Sequence, residues 1–251
     1  MASRSASYEA IIIRSREVPS GARVATLLSP EAGLVDAFVF GGGKSKLRSL
    51  ASPWHDGTAW VYTDSAKGLV KLTDFDVRND NAALRTDLDA IAAASFVTEL
   101  VQATAAFGGD WADAYALCMD AIRAVDGFAS RDADGIDRAV SLFVVRAVAL
   151  MGLLPETDEC AVCAGALGSV AVHSSRRTGA FLCSRCAVAD PESTELPAGV
   201  PAWLGATGSM RFFDAMKVGL GHEATRALKR WAIDLARHSV DVPFRTPGFG
   251  G

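Results

Sequence analysis

The spacing of apolar residues changes once along the chain, near residue 80, and the change predicts two kinds of architecture. Before it, Tyr8–Arg16, Ala22–Ser29, Gly33–Phe40, Asp56–Thr63 and Gly68–Phe75 are short runs rich in Val, Ile, Leu, Thr and aromatics. Turn signals such as Pro19-Ser20-Gly21 and Pro30-Glu31-Ala32-Gly33 separate them, so each reads as a strand. Within Gly33–Phe40, Leu34, Asp36 and Phe38 alternate only half-heartedly with Val35, Ala37 and Val39, a pattern suited to strands covered on both faces. Five short strands in an open sheet would leave vulnerable edges, and closing them into a small barrel removes most of that edge.

After Asn79-Asp80-Asn81 the period lengthens. Leu84, Leu88, Ile91, Phe96, Leu100, Ala103 and Phe107 recur at helical steps, predicting one long helix ended by Gly108-Gly109. Asp110 is a plausible N-cap for a second helix, Trp111 to Asp126, stopped by Gly127. A third, from about Asp134 to Gly152, is apolar on nearly every side and should be central to a bundle. Further helices are predicted over Ala202–Leu204, Met210–Leu220 and Glu223–Ser239, and the Pro/Gly-rich end from Pro243 reads as a frayed tail. The expected fold class is α+β: an N-terminal five-stranded barrel of OB-fold type, then an all-α domain with a cysteine segment inserted. The boundaries drawn are 1–80 for the barrel, 81–157 and 191–251 for the two parts of the helical domain, and 158–190 for the insertion.

That insertion carries the most specific signal in the chain. Cys160-Ala-Val-Cys163 and Cys183-Ser-Arg-Cys186 are two C-x-x-C knuckles with nineteen residues between them. A tight turn lets both thiolates of a pair face one ion, and two such turns supply the tetrahedral sulfur set that zinc favours. With all four positions filled by sulfur, one structural zinc ion would stabilise the fold and leave no coordination position for hydrolysis. A thioredoxin-like redox pair is the rival reading, but neither knuckle has a βαβ context. Cys118, between Leu117 and Met119, reads as a packing residue.

Composition narrows the classes further. Hydrophobic residues make up 50% of the chain, enough for a sizeable core, and the formal charge of −4 argues against coating a polyanion by overall charge. Met1–Arg16 has no apolar segment of signal-peptide type, and the most apolar run, Ala139–Leu154, is shorter than a bilayer span and contains Arg146. The expectation is a cytoplasmic protein with no membrane partner, in which clustered cysteines bind metal rather than form disulfides.

Any grip on a polyanion must then be local. Gly41-Gly42-Gly43-Lys44-Ser45 imitates the end of a phosphate-binding loop, but the glycine that motif requires is replaced by Phe38. What remains is a glycine-rich segment with Lys44, Lys46 and Arg48, which Arg14, Arg16 and Arg23 could extend into a phosphate-binding patch. Tyr8, Phe38, Phe40, Trp54, Trp60 and Tyr62 are aromatics available for stacking bases; alternation suggests that several are core, and none is assigned to stacking. His55, His173, His222 and His238 sit in separate contexts without a hydrolase motif, and Asp74, Asp76 and Asp80 read as a solvated linker. No enzyme and no small-molecule substrate is expected.

Together these parts resemble the RecO family of bacterial recombination mediators. The resemblance is carried by Arg23-Val-Ala-Thr-Leu-Leu-Ser-Pro-Glu-Ala-Gly33, Leu84-Arg-Thr-Asp-Leu88, Phe96-Val-Thr-Glu-Leu-Val101, Arg146-Ala-Val-Ala-Leu-Met-Gly-Leu-Leu-Pro155 and Gly179-Ala-Phe-Leu-Cys-Ser-Arg-Cys186. It spans about Tyr8 to Arg237. It implies a DNA repair and homologous recombination protein that binds single- and double-stranded DNA, anneals complementary strands and helps load RecA. The partners it implies are RecR and the C-terminal tail of the single-stranded-DNA-binding protein (SSB), with nucleoid association during repair. It also implies that Cys160, Cys163, Cys183 and Cys186 hold zinc and that Lys44, Lys46 and Arg48, with Arg14, Arg16 and Arg23, contact DNA. Arg226, Lys229, Arg230 and Arg237 could aid DNA binding, receive the acidic tail, or simply form a solvated helix face. The competing expectation is a zinc-stapled adaptor acting mainly through protein contacts; a third, an enzyme using the cysteines or the zinc, needs an exchangeable position.

Overall fold

The computed structural model describes residues 5–19, 21–41, 45–104, 110–168, 170–240, 243–246 and 248–249. Strands β1 (Ser5–Glu17), β2 (Arg23–Ser29), β3 (Gly33–Val39), β4 (Asp56–Asp64) and β5 (Leu69–Asn79) form a closed barrel in the order β1-β2-β3-β5-β4. The long β1 serves both ends of the sheet: Ser5–Ile11 pairs with β4 and Ile11–Glu17 with β2. A short parallel pairing, Phe38 with Lys71 and Val39 with Leu72, closes the ring. A five-residue helix, α1 (Lys46–Leu50), lies between β3 and β4 and packs against β5.

Half-alternation has a concrete cause in this barrel. Ile12, Ala25, Leu27, Ala37, Val39, Val61, Leu72 and Phe75 fill the interior, while Ile11, Ile13 and Leu28 on the outside join the core of the helical part. Alternation puts Ile11 and Ile13 on the same side of β1, and the pairing of β1 with β2 skips Ile13 in a bulge. Gly33, at φ +67, allows the close approach of Trp111, whose indole would stand 2.5 Å from any Cβ placed there.

The helical part begins with a 3₁₀ turn (Ala82–Thr86), followed by α2 (Leu88–Ala103), α3 (Trp111–Phe128) and α4 (Ala133–Leu150). The single long helix expected from Leu84 is thus divided. Asp87 interrupts it, taking an extended backbone and accepting from the N–H groups of Asp89 and Ala90 as the N-cap of α2. Asp110 caps α3 as expected, accepting from Ala112, but α3 runs through Gly127 to Phe128. The apolar α4 lies among α2, α3 and the C-terminal helix α8 (His222–Ser239), so it is central. Between α4 and α8 come the cysteine insertion, then α6 (Gly199–Thr207) and α7 (Phe212–Ala215), the latter much shorter than the Met210–Leu220 expectation.

The tail is not frayed where it is described. Phe244 and Phe249 are buried, and their rings sit 4.9 and 4.4 Å from that of Phe96. Glu99 accepts from the backbone N–H groups of Arg245 and Thr246, so two aromatic anchors and a carboxylate fasten a segment whose Pro/Gly content reads as loose. Among the described residues no helix is long and apolar enough to cross a membrane.

Candidate metal centre and nucleic-acid interface

The insertion folds as a three-stranded sheet, β6 (Val172–Ser174), β7 (Phe181–Leu182) and β8 (Thr194–Leu196), in the order β7-β6-β8, with the one-turn α5 (Ser184–Ala187). The N–H of Ala161 donates to the Phe181 carbonyl at 2.9 Å, tying the first knuckle to the strand that leads into the second. The four Sγ atoms of Cys160, Cys163, Cys183 and Cys186 consequently lie within 4.8 Å of one another, with Cys163 and Cys183 at 3.9 Å. Sulfurs about 2.3 Å from a common tetrahedral ion would be about 3.8 Å apart, so the set can hold a metal ion.

The crowded thiols compete for ionisation. Burial opposes ionisation of Cys160, but N–H groups of Cys183, Cys163 and Val162 outweigh it and bring its thiol down to about 6. Cys186, donating to the sulfur of Cys183 among these crowded thiols, is pushed up to about 12. A divalent ion at the centre would relieve that competition. Cys118 has no such company: buried inside α3, its thiol is pushed up to about 12 by desolvation, in keeping with a packing role.

The ribbon is fastened to the helical core. Phe181 is fully buried with its ring 5.1 Å from that of Trp231 in α8, and the Trp231 indole donates to the Gly179 carbonyl at 2.8 Å. Beside this contact a cavity of about 350 Å³ lies between the ribbon and α8, with Arg176, Arg230 and Arg237 in its lining. Arg226 and Arg230 are exposed, whereas Lys229 pairs with Asp137 at 2.6 Å and Arg237 with Asp234 at 3.1 Å.

On the barrel, the cations proposed from sequence divide by what they already hold. Arg14 and Arg16 both point outward from β1 and are exposed; Arg16 pairs with Asp36 at 3.6 Å, and Arg14 makes none of the ion pairs found among the described residues. Arg23 and Arg48 both reach Glu17, at 3.7 and 3.3 Å. Arg23 also donates to the Arg48 carbonyl, and Arg48 to that of Gly21. With its side chain only 13% exposed, Arg48 fastens α1 to the β1–β2 turn. Lys46 is exposed at the start of α1, and Lys44 lies outside the described residues.

The barrel also sorts the aromatics that alternation left unassigned. Tyr8 packs on the barrel interior and Trp54 against the helical core, whereas Phe38, Phe40, Trp60 and Tyr62 face outward. Phe38 and Phe40 stack at 6.1 Å, and the Lys71 ammonium lies 5.3 Å from the Phe40 ring centre. Lys71 was not singled out from the sequence because its place among these rings comes from pairing across the ring closure, not from its neighbours in the chain. Of the histidines, the ring of His55 is half-buried and bonded to the Leu50 carbonyl, and its pKa is lowered by desolvation. His222 meets Asp134 on the surface.

Comparison with known proteins settles the family. A profile described as Recombination protein O N terminal matches residues 1–80, and one described as Recombination protein O C terminal matches residues 85–246. The chain is 30% identical over 196 residues to the DNA repair protein RecO of Anaeromyxobacter sp. (strain K), covering 77% of this chain and 75% of that one. It is 26% identical over 234 residues to the DNA repair protein RecO of Bacillus velezensis, covering 90% and 86% respectively. With the N-terminal profile over the OB-like barrel and the C-terminal profile over the helical domain and its four-cysteine ribbon, this chain belongs to the RecO family of DNA repair and recombination proteins.

Proposed function

We propose that the protein is a non-enzymatic recombination mediator. In this reading it binds single- and double-stranded DNA, anneals complementary strands and, with RecR, helps load RecA onto SSB-coated strands. The observation that carries the reading is a closed five-strand barrel of OB type whose uncovered side bears Arg14, Arg16 and Lys46 at the surface. Such a barrel holds a strand by its phosphates without reading its sequence. Annealing requires no bond chemistry, only a surface that lowers the repulsion between two polyanions.

Lys44, Lys46 and Arg14 take phosphates in this scheme, while Arg16 is held by Asp36 and Arg23 and Arg48 shape the loop that presents them. The cysteine set holds one zinc ion, which its four thiolate donors fit, and this ion fastens the ribbon on which α8 rests. The exposed Arg226 and Arg230, with the cavity beside Arg176 and Arg237, offer an acidic peptide such as the SSB tail a cationic seat. The protein acts in the cytoplasm, on nucleoid DNA under repair.

One observation favours the adaptor reading instead. Arg16, Arg23 and Arg48 already face Asp36 or Glu17, on a chain of net charge −4. Fluorescence anisotropy of a labelled single strand, titrated at low and at physiological salt, separates the two. Affinity that falls linearly on a log–log salt plot supports the mediator. No binding at low salt refutes it and leaves a protein that works through protein contacts.

A further inference from the structure

The barrel's outer surface has two unlike halves. Helices cover the side that carries Ile11, Ile13 and Leu28. On the other side, where alternation should place polar residues at the surface, the structure leaves Phe40 50% and Trp60 39% exposed. Phe40 belongs to a belt with Phe38 and Lys71. Register runs from Phe38 on β3 to Lys71 on β5, and from Lys71 to Tyr62 on β4. Lys71 is therefore flanked across its strand by two outward aromatic rings, with a third, Phe40, under its ammonium.

We infer that the outer face of β3, β5 and β4 is a base-stacking platform for single-stranded nucleic acid, with Phe40, Phe38 and Tyr62 receiving bases and Lys71 taking an intervening phosphate. This rests on the DNA-binding reading above and assigns it a face. Every base has a π-face, so aromatic rings bind a strand without regard to sequence, and a cation among them neutralises the backbone that carries the bases. The exposed Lys46 lies close by, at the start of α1, which packs against β5. At the other end Asp74 lies opposite Trp60, where a phosphate would be repelled, so the platform stops at Tyr62. Duplex DNA keeps its bases stacked inward and cannot use these rings, so the platform favours single strands.

The test compares a thymidine oligonucleotide with an abasic phosphodeoxyribose strand of equal length, by anisotropy at one salt concentration. The full-length protein should prefer the base-bearing strand by about tenfold or more, the loss typical of removing one stacking ring. In the Phe38→Ala/Phe40→Ala/Tyr62→Ala triple variant that preference should vanish while the salt slope is kept; in Lys71→Gln the slope should fall by about 0.7. Phe40→Trp should retain the preference, and unchanged melting temperatures would confirm that the variants fold. Equal affinity of the unaltered protein for both strands, or a preference that survives the triple variant, overturns the platform while leaving DNA binding intact. Binding to neither strand overturns the platform together with the mediator reading.

Discussion

If cations already held by carboxylates are poor phosphate ligands, the salt dependence of DNA binding should discriminate among arginines that look alike in sequence. Arg14 and Lys46 are exposed and make no ion pair among the described residues, whereas Arg48 is mostly enclosed and spent on Glu17 and Gly21. Each phosphate contacted on a single strand contributes about 0.7 to the log–log salt slope. The Arg14→Ala/Lys46→Ala variant should therefore lose about 1.4 from the slope. Between 50 and 200 mM salt, a fourfold range, the affinity of the unaltered protein should fall about sevenfold more steeply than that of the variant. Arg48→Ala should leave the slope in place. Because Glu17 is 67% exposed, losing that pair should cost only about 1 kcal/mol of stability. Anisotropy titrations at four salt concentrations, with urea unfolding of each variant, measure both quantities. An Arg48→Ala slope change as large as that of Arg14→Ala would refute the division into spent and available cations. An unchanged slope in the double variant would remove this face from the DNA site.

The same logic makes Asp36→Asn a gain-of-binding change: Arg16 is released, Thr26 keeps an oxygen to donate to, and the salt slope should steepen by about 0.7 at one phosphate gained. At the metal centre, Cys183→Ser should lower the bound zinc per chain and shift thermal unfolding downward, because binding free energy at such a site is folding free energy; full zinc content and an unchanged melting temperature would contradict the four-thiolate assignment. Asp87 offers a pH test. The Ser130 and Ala90 N–H groups hold its carboxyl below the ordinary value of 3.8, so its stabilisation is complete above that value and is lost as pH falls through the lower folded one. Asp87→Ala should cost about 1 kcal/mol at pH 7, and the difference in urea midpoint should close as pH drops below 3.8; a difference that persists in strong acid would show that the cap works without its charge.

What could be read from the chain follows from how local each determinant is. The knuckles were legible because two residues between cysteines impose a turn whatever surrounds it, and the strands because turn signals bracket each one. The division at Asp87 was not, since Leu84 and Leu88 keep a helical step across a break that only the side chain of Asp87 creates. Ion pairing was hidden for a different reason. Arg16 and Asp36 are twenty residues apart, and Arg48 and Glu17 thirty-one, so the neutralisation of half the patch appears only when the barrel closes.

The aromatics show the limit most clearly. Period-two alternation separates inside from outside when one face of a strand meets water, but this barrel buries both faces where helices cover it. Ile11, Ile12 and Ile13 are all buried, in alternate cores, and such a run carries no sign of direction. On β3, by contrast, Asp36, Phe38 and Phe40 share the uncovered face, and only the parallel pairing of Phe38 with Lys71 reveals it as one surface. That pairing joins strands with another strand and a helix between them in the chain, so no window of sequence contains it. A closed barrel half sheathed in helices therefore conceals the face it leaves open, and here that face is the one that carries outward rings and the Lys71 ammonium.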